Sequence, residues 1–128
     1  MNEKNKLRLL FILILILMCI GATWGQSYDS VKVYINNSDL EHKEIVLRQA
    51  VLETGWFECT DCSREKNNLF GWYYKKKYLK FDNWKDSIDY YVRWQDRHYK
   101  GDDYYQFLID RGFATDTLYT YKLKSIKL

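Results

Sequence analysis

A chain of 128 residues has room for one domain, and this one shows no repeat, linker or low-complexity tract. Setting aside residues 1–25, with Lys4, Lys6, Arg8 and Glu3, lowers the formal charge from +3 to about +1. A nearly neutral domain argues against a nucleic-acid binder held by counterion release.

The N-terminus does not read as part of the domain. Lys4, Lys6 and Arg8 precede an uncharged apolar run from Leu9 to Trp24, with Gly21, Ala22, Thr23 and Gly25 at its exit. A basic start, an apolar middle and a small-residue exit predict a secretory signal peptide over residues 1–25, cleaved after Gly25. The same run, over residues 7–24, is of borderline length for an uncut membrane anchor. Lipidation at Cys19 is the weaker alternative, because Met18 stands where a small residue is expected. Residues 26–128 are then an exported domain, periplasmic or extracellular, and a monomer.

Within that domain the pattern is mainly helical. Alternation of Val31, Val33 and Ile35 predicts a short strand. A helix is predicted from Ser38, with Glu41 completing a capping box, through Leu40, Val46, Leu47, Ala50 and Val51 to a stop at Gly55. Trp56–Lys66 reads as a polar loop, and Trp72–Phe81, rich in tyrosine, as a hairpin. Asp82 or Asn83 caps a helix running to about Arg97, with Trp84, Ile88, Tyr91 and Gln95 on one face. Another helix spans about Asp103–Arg111 and stops at Gly112. Thr115 or Asp116 caps a last helix carrying Leu118, Tyr119, Leu123 and Ile126. The fold class is α+β with helices dominating.

The candidate chemistry centres on Glu53. It lies two residues before the helix stop, where the helix end carries partial negative charge, and Leu52, Trp56 and Phe57 can exclude water from it. Both effects push a carboxyl pKa upward. A carboxyl kept protonated near neutral pH can give its proton to a glycosidic oxygen, a pattern borrowed from the lysozyme glutamate that exemplifies it. Read locally, Glu53 could equally be an ordinary surface glutamate near a helix end.

Other residues carry paired readings. Asn67 and Asn68 can close turns through their side chains, or one of them can face a sugar. Phe70 reads as core, and Gly71 as a point of close backbone approach. Some of Trp72, Tyr73, Tyr74 and Tyr78 should face a cleft as sugar platforms, since ring faces cover C–H groups and polar tips bond hydroxyls. Lys75–Lys77, and Lys122, Lys124 and Lys127, are basic patches that suit either plain solvation or acidic wall polymers. Cys59 and Cys62 form a CxxC pair, read as a disulfide that pins the loop after Glu53. A zinc site would need two further ligands, and His42 and His98 are distant in sequence, so no metal is expected. A thioredoxin-type motif would need an alternating β/α chain, which is not present.

Several blocks together resemble a known family. Gln49-Ala50-Val51-Leu52-Glu53-Thr54-Gly55-Trp56 is similar to the "QAxLE[ST]GW" signature of the glucosaminidase family that includes flagellar muramidase-like and autolysin enzymes. Asn67-Asn68-Leu69-Phe70-Gly71 resembles its NNLFG block. Tyr78 with Phe81-Asp82-Asn83-Trp84-Lys85-Asp86-Ser87 resembles its "Y..F.S..eS" stretch. Gly112-Phe113-Ala114-Thr115-Asp116, with Tyr119, resembles "GYATDP.Y". The resemblance spans residues 38–128. It implies a lysozyme-like two-lobed domain, hydrolysis of the β-1,4 bond after N-acetylglucosamine in peptidoglycan, and Glu53 as the general acid. No cofactor is implied. Phe113 stands where the family usually has tyrosine, which removes a hydroxyl, and Thr117 replaces a proline.

The substrate-binding set expected on these grounds is Asn68, Trp72, Tyr78, Phe113 and Tyr119, with peptidoglycan glycan strands as partner. Candidates for a second carboxylate are Glu58, Asp61, Glu65, Asp82 and Asp116. The alternative is attack by the substrate's own 2-acetamido oxygen. Two rival functions remain at this level: a peptidoglycan-binding module without turnover, and a thiol oxidoreductase resting on Cys59 and Cys62.

Overall fold

The computed structural model describes the backbone of residues 1–20 and 25–128, and the side chains of residues 1–14 and 25–128. The small-residue stretch at 21–24 and the Cys19 side chain, on which the processing expectations lean, lie outside the described residues. The first helix, α1 (Glu3–Ile20), exposes its side chains from Leu7 to Ile14. Among the described residues no helix is long and apolar enough to cross a membrane.

The folded body follows from residue 25. The expected strand at Val31–Ile35 is instead part of a helix, α2 (Tyr28–Asn36). Its alternation was incidental: Val31 and Ile35, one helical turn apart, are fully buried, while Val33 points outward at 57% exposure. The helix is started by a reciprocal cap, in which Ser27 accepts from the Ser30 backbone and the Ser30 side chain accepts from the Ser27 backbone. That pair satisfies orphan donors that a strand would not have.

The next helix also starts later than the sequence predicts. Ser38 does not cap it. Its hydroxyl turns back onto the Ile35 carbonyl at 2.6 Å and closes α2. The central helix, α3, spans Lys43–Thr54 and follows His42 in a left-handed conformation. Glu41 is not its capping partner: the Glu41 backbone is gripped from outside by the buried Gln95 side chain. α3 ends as expected at Gly55, φ +54, and the Thr54 hydroxyl bridges the Ala50 carbonyl and the Phe57 N–H. Val46, Leu47, Ala50 and Val51 are buried, and α3 packs against α2 and the C-terminal helix.

After α3 a 3₁₀ turn at Ser63–Lys66 sits inside the polar loop, and a disulfide joins Cys59 to Cys62. Two short antiparallel strands follow, β1 (Tyr73–Tyr74) and β2 (Lys77–Tyr78), joined by Lys75 and Lys76, both at positive φ. Two central turn residues at positive φ are what a tight hairpin needs, although the usual Asn-Gly is absent. α4 (Trp84–His98) is capped by Asn83, one of the two caps the sequence offers, in a capping box with Asp86. α5 (Tyr104–Asp110) is capped by Asp103. α6 (Tyr119–Ser125) starts after Leu118 rather than after Thr115 or Asp116. Asp116 still stabilises its approach, by accepting from the Leu118 N–H at 2.9 Å. The result is a mainly helical α+β body with one small hairpin.

Asn68 fixes the hairpin to the body. It is fully buried, donates to the carbonyls of Trp72 and Leu79 at 2.9 and 3.0 Å, and accepts from the Trp72 N–H at 2.9 Å. Its amide is therefore spent on backbone, and the expectation that Asn68 binds sugar does not fit its position. Asn67 is structural as well. It adopts a left-handed conformation, bonds the Phe81 and Asp82 carbonyls and accepts from Gln26. Replacing Asn68 with alanine removes the side-chain partner of the Trp72 N–H and of the Leu79 carbonyl, at a cost of about 1–3 kcal/mol for each group, while the Trp72 carbonyl keeps its bond from the Leu79 N–H. Asn68→Ala is therefore expected to lose about 3 kcal/mol of stability in urea unfolding. A loss below half that value would mean the hairpin base is held by other contacts.

Candidate functional site

A cleft of about 810 Å³ runs between the hairpin, the end of α3, and the Arg111–Asp116 loop with α6. Each wall has a local cause. The left-handed stop at Gly55 ends α3 just after Glu53, so Leu52 and Glu53 form the floor. Asn68 holds the hairpin so that Trp72, Tyr73 and Tyr78 face the same space. Gly112, at φ +60, turns the chain after α5 and brings Phe113 and Asp116 to the opposite side.

Glu53 is half-buried, and burial pushes its carboxyl above the ordinary carboxylate range. A hydrogen-bonding contact with the Tyr119 hydroxyl opposes that rise in part. The water-excluding side chains differ from those expected. Leu52, Phe70 and Trp72 line the cleft with Glu53, whereas Phe57 is in the core and Trp56, 47% exposed, stacks near Tyr28. The backbone of Gly71 closes over the carboxyl: a Cβ there would lie 3.0 Å from Glu53 Oε2. Gly71 is also at φ +66, so two independent constraints favour glycine at this position.

Of the other expected site residues, Trp72, Tyr78, Phe113 and Tyr119 all line this cleft, and Asn68 does not. Phe113 stacks on Tyr119 with ring centroids 5.9 Å apart, and meets Trp72 edge-on at 5.3 Å. Tyr73 and Tyr78 are a cross-strand pair, 5.2 Å apart and both more than half exposed. They offer ring faces and hydroxyls at the cleft edge. Tyr74 carries Lys75 over its ring and is not part of the lining.

The candidate second carboxylates separate cleanly. Glu58, Asp61, Glu65 and Asp82 do not line the cleft, and Glu65 accepts from the Asp61 N–H at 3.0 Å within the loop. Asp116 does line it. Lys122 donates to Asp116 Oδ2 at 2.5 Å, and this bond with that from the Leu118 N–H holds the Asp116 carboxyl below its usual range. Arg111 and Lys122, not singled out in the sequence, give the cleft a basic side. Among the described residues no group of three or more His, Cys, Asp or Glu is gathered to hold a metal ion.

The sequence also gave little weight to what lies behind Glu53. Gln49, one turn earlier on α3, is fully buried. Its amide donates to the Tyr119 hydroxyl at 3.2 Å and accepts from the Tyr91 hydroxyl at 2.6 Å. A glutamine between Leu47 and Ala50 on an apolar stripe is the signal that could have found it, since a buried amide must have partners.

A raised carboxyl pKa has a consequence for stability. The folded state binds the Glu53 proton more tightly than the unfolded chain does. The group's contribution is therefore fully present below the unfolded carboxyl range and is lost as pH rises through the folded pKa. Glu53→Gln removes that loss, so the variant should melt at a higher temperature than wild type at neutral pH. The difference should vanish near pH 4. A variant that is less stable than wild type at neutral pH would contradict the burial of the charge.

The Glucosaminidase family model, described as mannosyl-glycoprotein endo-beta-N-acetylglucosaminidase, matches residues 28–127. No curated protein and no solved structure matches the chain. The matched residues span the whole of the cleft described above.

Proposed function

Because the chain belongs to the glucosaminidase family, a family of glycoside hydrolases acting as endo-β-N-acetylglucosaminidases, we propose that it cuts peptidoglycan strands with Glu53 as general acid. The bond broken is the β-1,4 bond after N-acetylglucosamine. The observation that carries this reading is the placement of Glu53: a carboxyl raised by burial, on the floor of an open aromatic cleft. Such a group keeps its proton where an exposed glutamate would have lost it, and can protonate the leaving glycosidic oxygen.

The second half of the reaction needs a nucleophile at the anomeric carbon. Asp116 is the other carboxylate in the cleft, and Lys122 already neutralises it. A carboxylate held by a cation is a poor base toward water. The substrate supplies a better group, its own 2-acetamido oxygen, which attacks the anomeric carbon as Glu53 gives its proton to the leaving oxygen. Water then opens the cyclic intermediate, and Glu53, now ionised, takes the proton from that water. Trp72, Tyr73, Tyr78 and Phe113 provide ring surface for the sugars.

Residues 1–25 supply the export signal or anchor in this reading, which would place residues 26–128 outside the cytoplasm, where the wall is. The disulfide between Cys59 and Cys62 is compatible with an oxidising compartment.

The test is release of muropeptides from purified peptidoglycan by the full-length protein. Glu53→Gln should lower the rate by about 100-fold or more, the usual contribution of a general acid. New reducing ends should be N-acetylglucosamine. Asp116→Asn should stay within about tenfold of wild type, since it is not asked to activate water. A Glu53→Gln variant with wild-type turnover would remove the acid assignment, and an Asp116→Asn variant as impaired as Glu53→Gln would restore Asp116 as the base.

A further inference from the structure

Behind the cleft, buried polar side chains connect Glu53 to a backbone peptide on the far side of the body. Tyr91, Gln49, Gln95, Tyr104 and Tyr119 are each at least 94% buried. Their hydrogen bonds form one path with no branch. Gln95 Nε2 bonds the Tyr104 hydroxyl at 2.7 Å, Tyr104 bonds the Tyr91 hydroxyl at 2.7 Å, and Tyr91 bonds Gln49 Oε1 at 2.6 Å. Gln49 Nε2 then bonds the Tyr119 hydroxyl at 3.2 Å, and Tyr119 meets Glu53.

The direction of every proton on this path is dictated from one end. The Glu41 N–H can only donate, and it bonds Gln95 Oε1 at 2.7 Å. The Glu41 carbonyl can only accept, and it takes Gln95 Nε2 at 3.0 Å. The Gln95 amide therefore cannot flip, and its nitrogen must face Tyr104. A hydroxyl that accepts on one side gives its single proton to the other side. Tyr104 thus donates to Tyr91, and Tyr91 donates to Gln49. That fixes the Gln49 oxygen toward Tyr91 and its nitrogen toward Tyr119. The Tyr119 proton is then directed at Glu53, its neighbour on the cleft lining.

We infer that Gln95, Tyr104, Tyr91 and Gln49 are positioning residues that form a one-way hydrogen-bond relay, holding the Tyr119 hydroxyl proton on the Glu53 carboxyl. The chemical consequence is selective. A carboxyl oxygen that accepts from Tyr119 is occupied, so the acid's own proton resides on the other oxygen. One proton is thereby offered from one oxygen, instead of being shared between two. This inference rests on the reading of Glu53 as the acid. Because the Tyr119 hydroxyl accepts from Gln49, it faces Glu53 as a donor, and burial beside Glu53 keeps it protonated.

The substitution that tests the relay is Tyr104→Phe, because Tyr104 bonds neither Tyr119 nor Glu53. With the Tyr104 hydroxyl gone, Tyr91 no longer accepts from it and is free to accept from Gln49 instead of donating to it. Gln49 can then turn over and compete with Glu53 for the Tyr119 proton. Losing that donor raises the carboxyl titration. The other ionisable groups that line the cleft with Glu53 are Arg111, Asp116 and Lys122 from the loop and α6, and Tyr73 and Tyr78 from the hairpin. None is altered by the change.

The measurement is the titration of the Glu53 side-chain carboxyl by carbon NMR in the full-length protein, with the pH profile of glycan cleavage beside it. Tyr119→Phe should move the midpoint upward. Tyr104→Phe should move it in the same direction by a smaller amount, and the double variant should match Tyr119→Phe alone. The alkaline limb of kcat/KM should follow these shifts. Tyr91→Phe frees the same amide one step closer and serves if Tyr104→Phe does not fold. A midpoint unchanged in the folded Tyr104→Phe or Tyr91→Phe variant overturns the relay, as does one unchanged in Tyr119→Phe. Failure of the acid reading is seen separately, as full turnover by Glu53→Gln, and leaves the NMR result standing.

Discussion

The arrangement depends on one constraint, a carboxyl held out of water at the last turn of α3. Burying an ionisable group is unfavourable unless the surroundings are organised for it. Here the left-handed stop at Gly55 ends the helix, and the Gly71 backbone approaches so closely that a Cβ would lie 3.0 Å from Glu53 Oε2. Tyr119 comes from a helix distant in sequence to provide a polar contact. α3 therefore serves two ends. Its apolar face carries the core through Val46, Leu47, Ala50 and Val51, and its final turn carries the Glu53 carboxyl.

The aromatic richness of the chain divides along the same line. Tyr91, Tyr99 and Tyr104 are buried and packed ring against ring with Phe107 and Trp94, so they are core first. Burial pushes the Tyr104 hydroxyl up to about 12, which keeps it a neutral donor and acceptor at any working pH. Tyr73 and Tyr78, half out of the same cleft wall, are free to meet a ligand. Composition alone cannot separate these groups, because a tyrosine reads the same in a core and on a sugar platform.

Elements with strong local signals were legible in the sequence. Gly55, the Asn83 cap and the Gly112 stop all fall where their chemistry predicts. Misreadings occurred where local signals were ambiguous. Val31, Val33 and Ile35 fit a two-residue period and a one-turn spacing equally, and the Ser27–Ser30 cap that decides the matter lies just upstream. Ser38 and Glu41 match a capping pattern, but the end of the preceding helix claims Ser38 through the Ile35 carbonyl, and the distant Gln95 claims Glu41. Glu53, Trp72, Tyr78, Phe113 and Tyr119, singled out in the sequence, line one cleft. Asn68 was misassigned because a side-chain amide satisfies a buried backbone as readily as a sugar. Gln95 stood on the apolar face of its helix in the sequence, and its burial shows why: a distant peptide needed both ends of an amide.

The hairpin has a mechanical side. With only two residues in each strand it has almost no ladder of its own, and its fastening to the body runs through Asn68. A load applied at Tyr73 and Tyr78 would be borne by the sealed Asn68 amide at the hairpin's base, together with Asn67, which bonds the Phe81 and Asp82 carbonyls just beyond it. Both anchors sit in one short turn that also carries Phe70 and Gly71, so the hairpin and the cleft wall share one foundation.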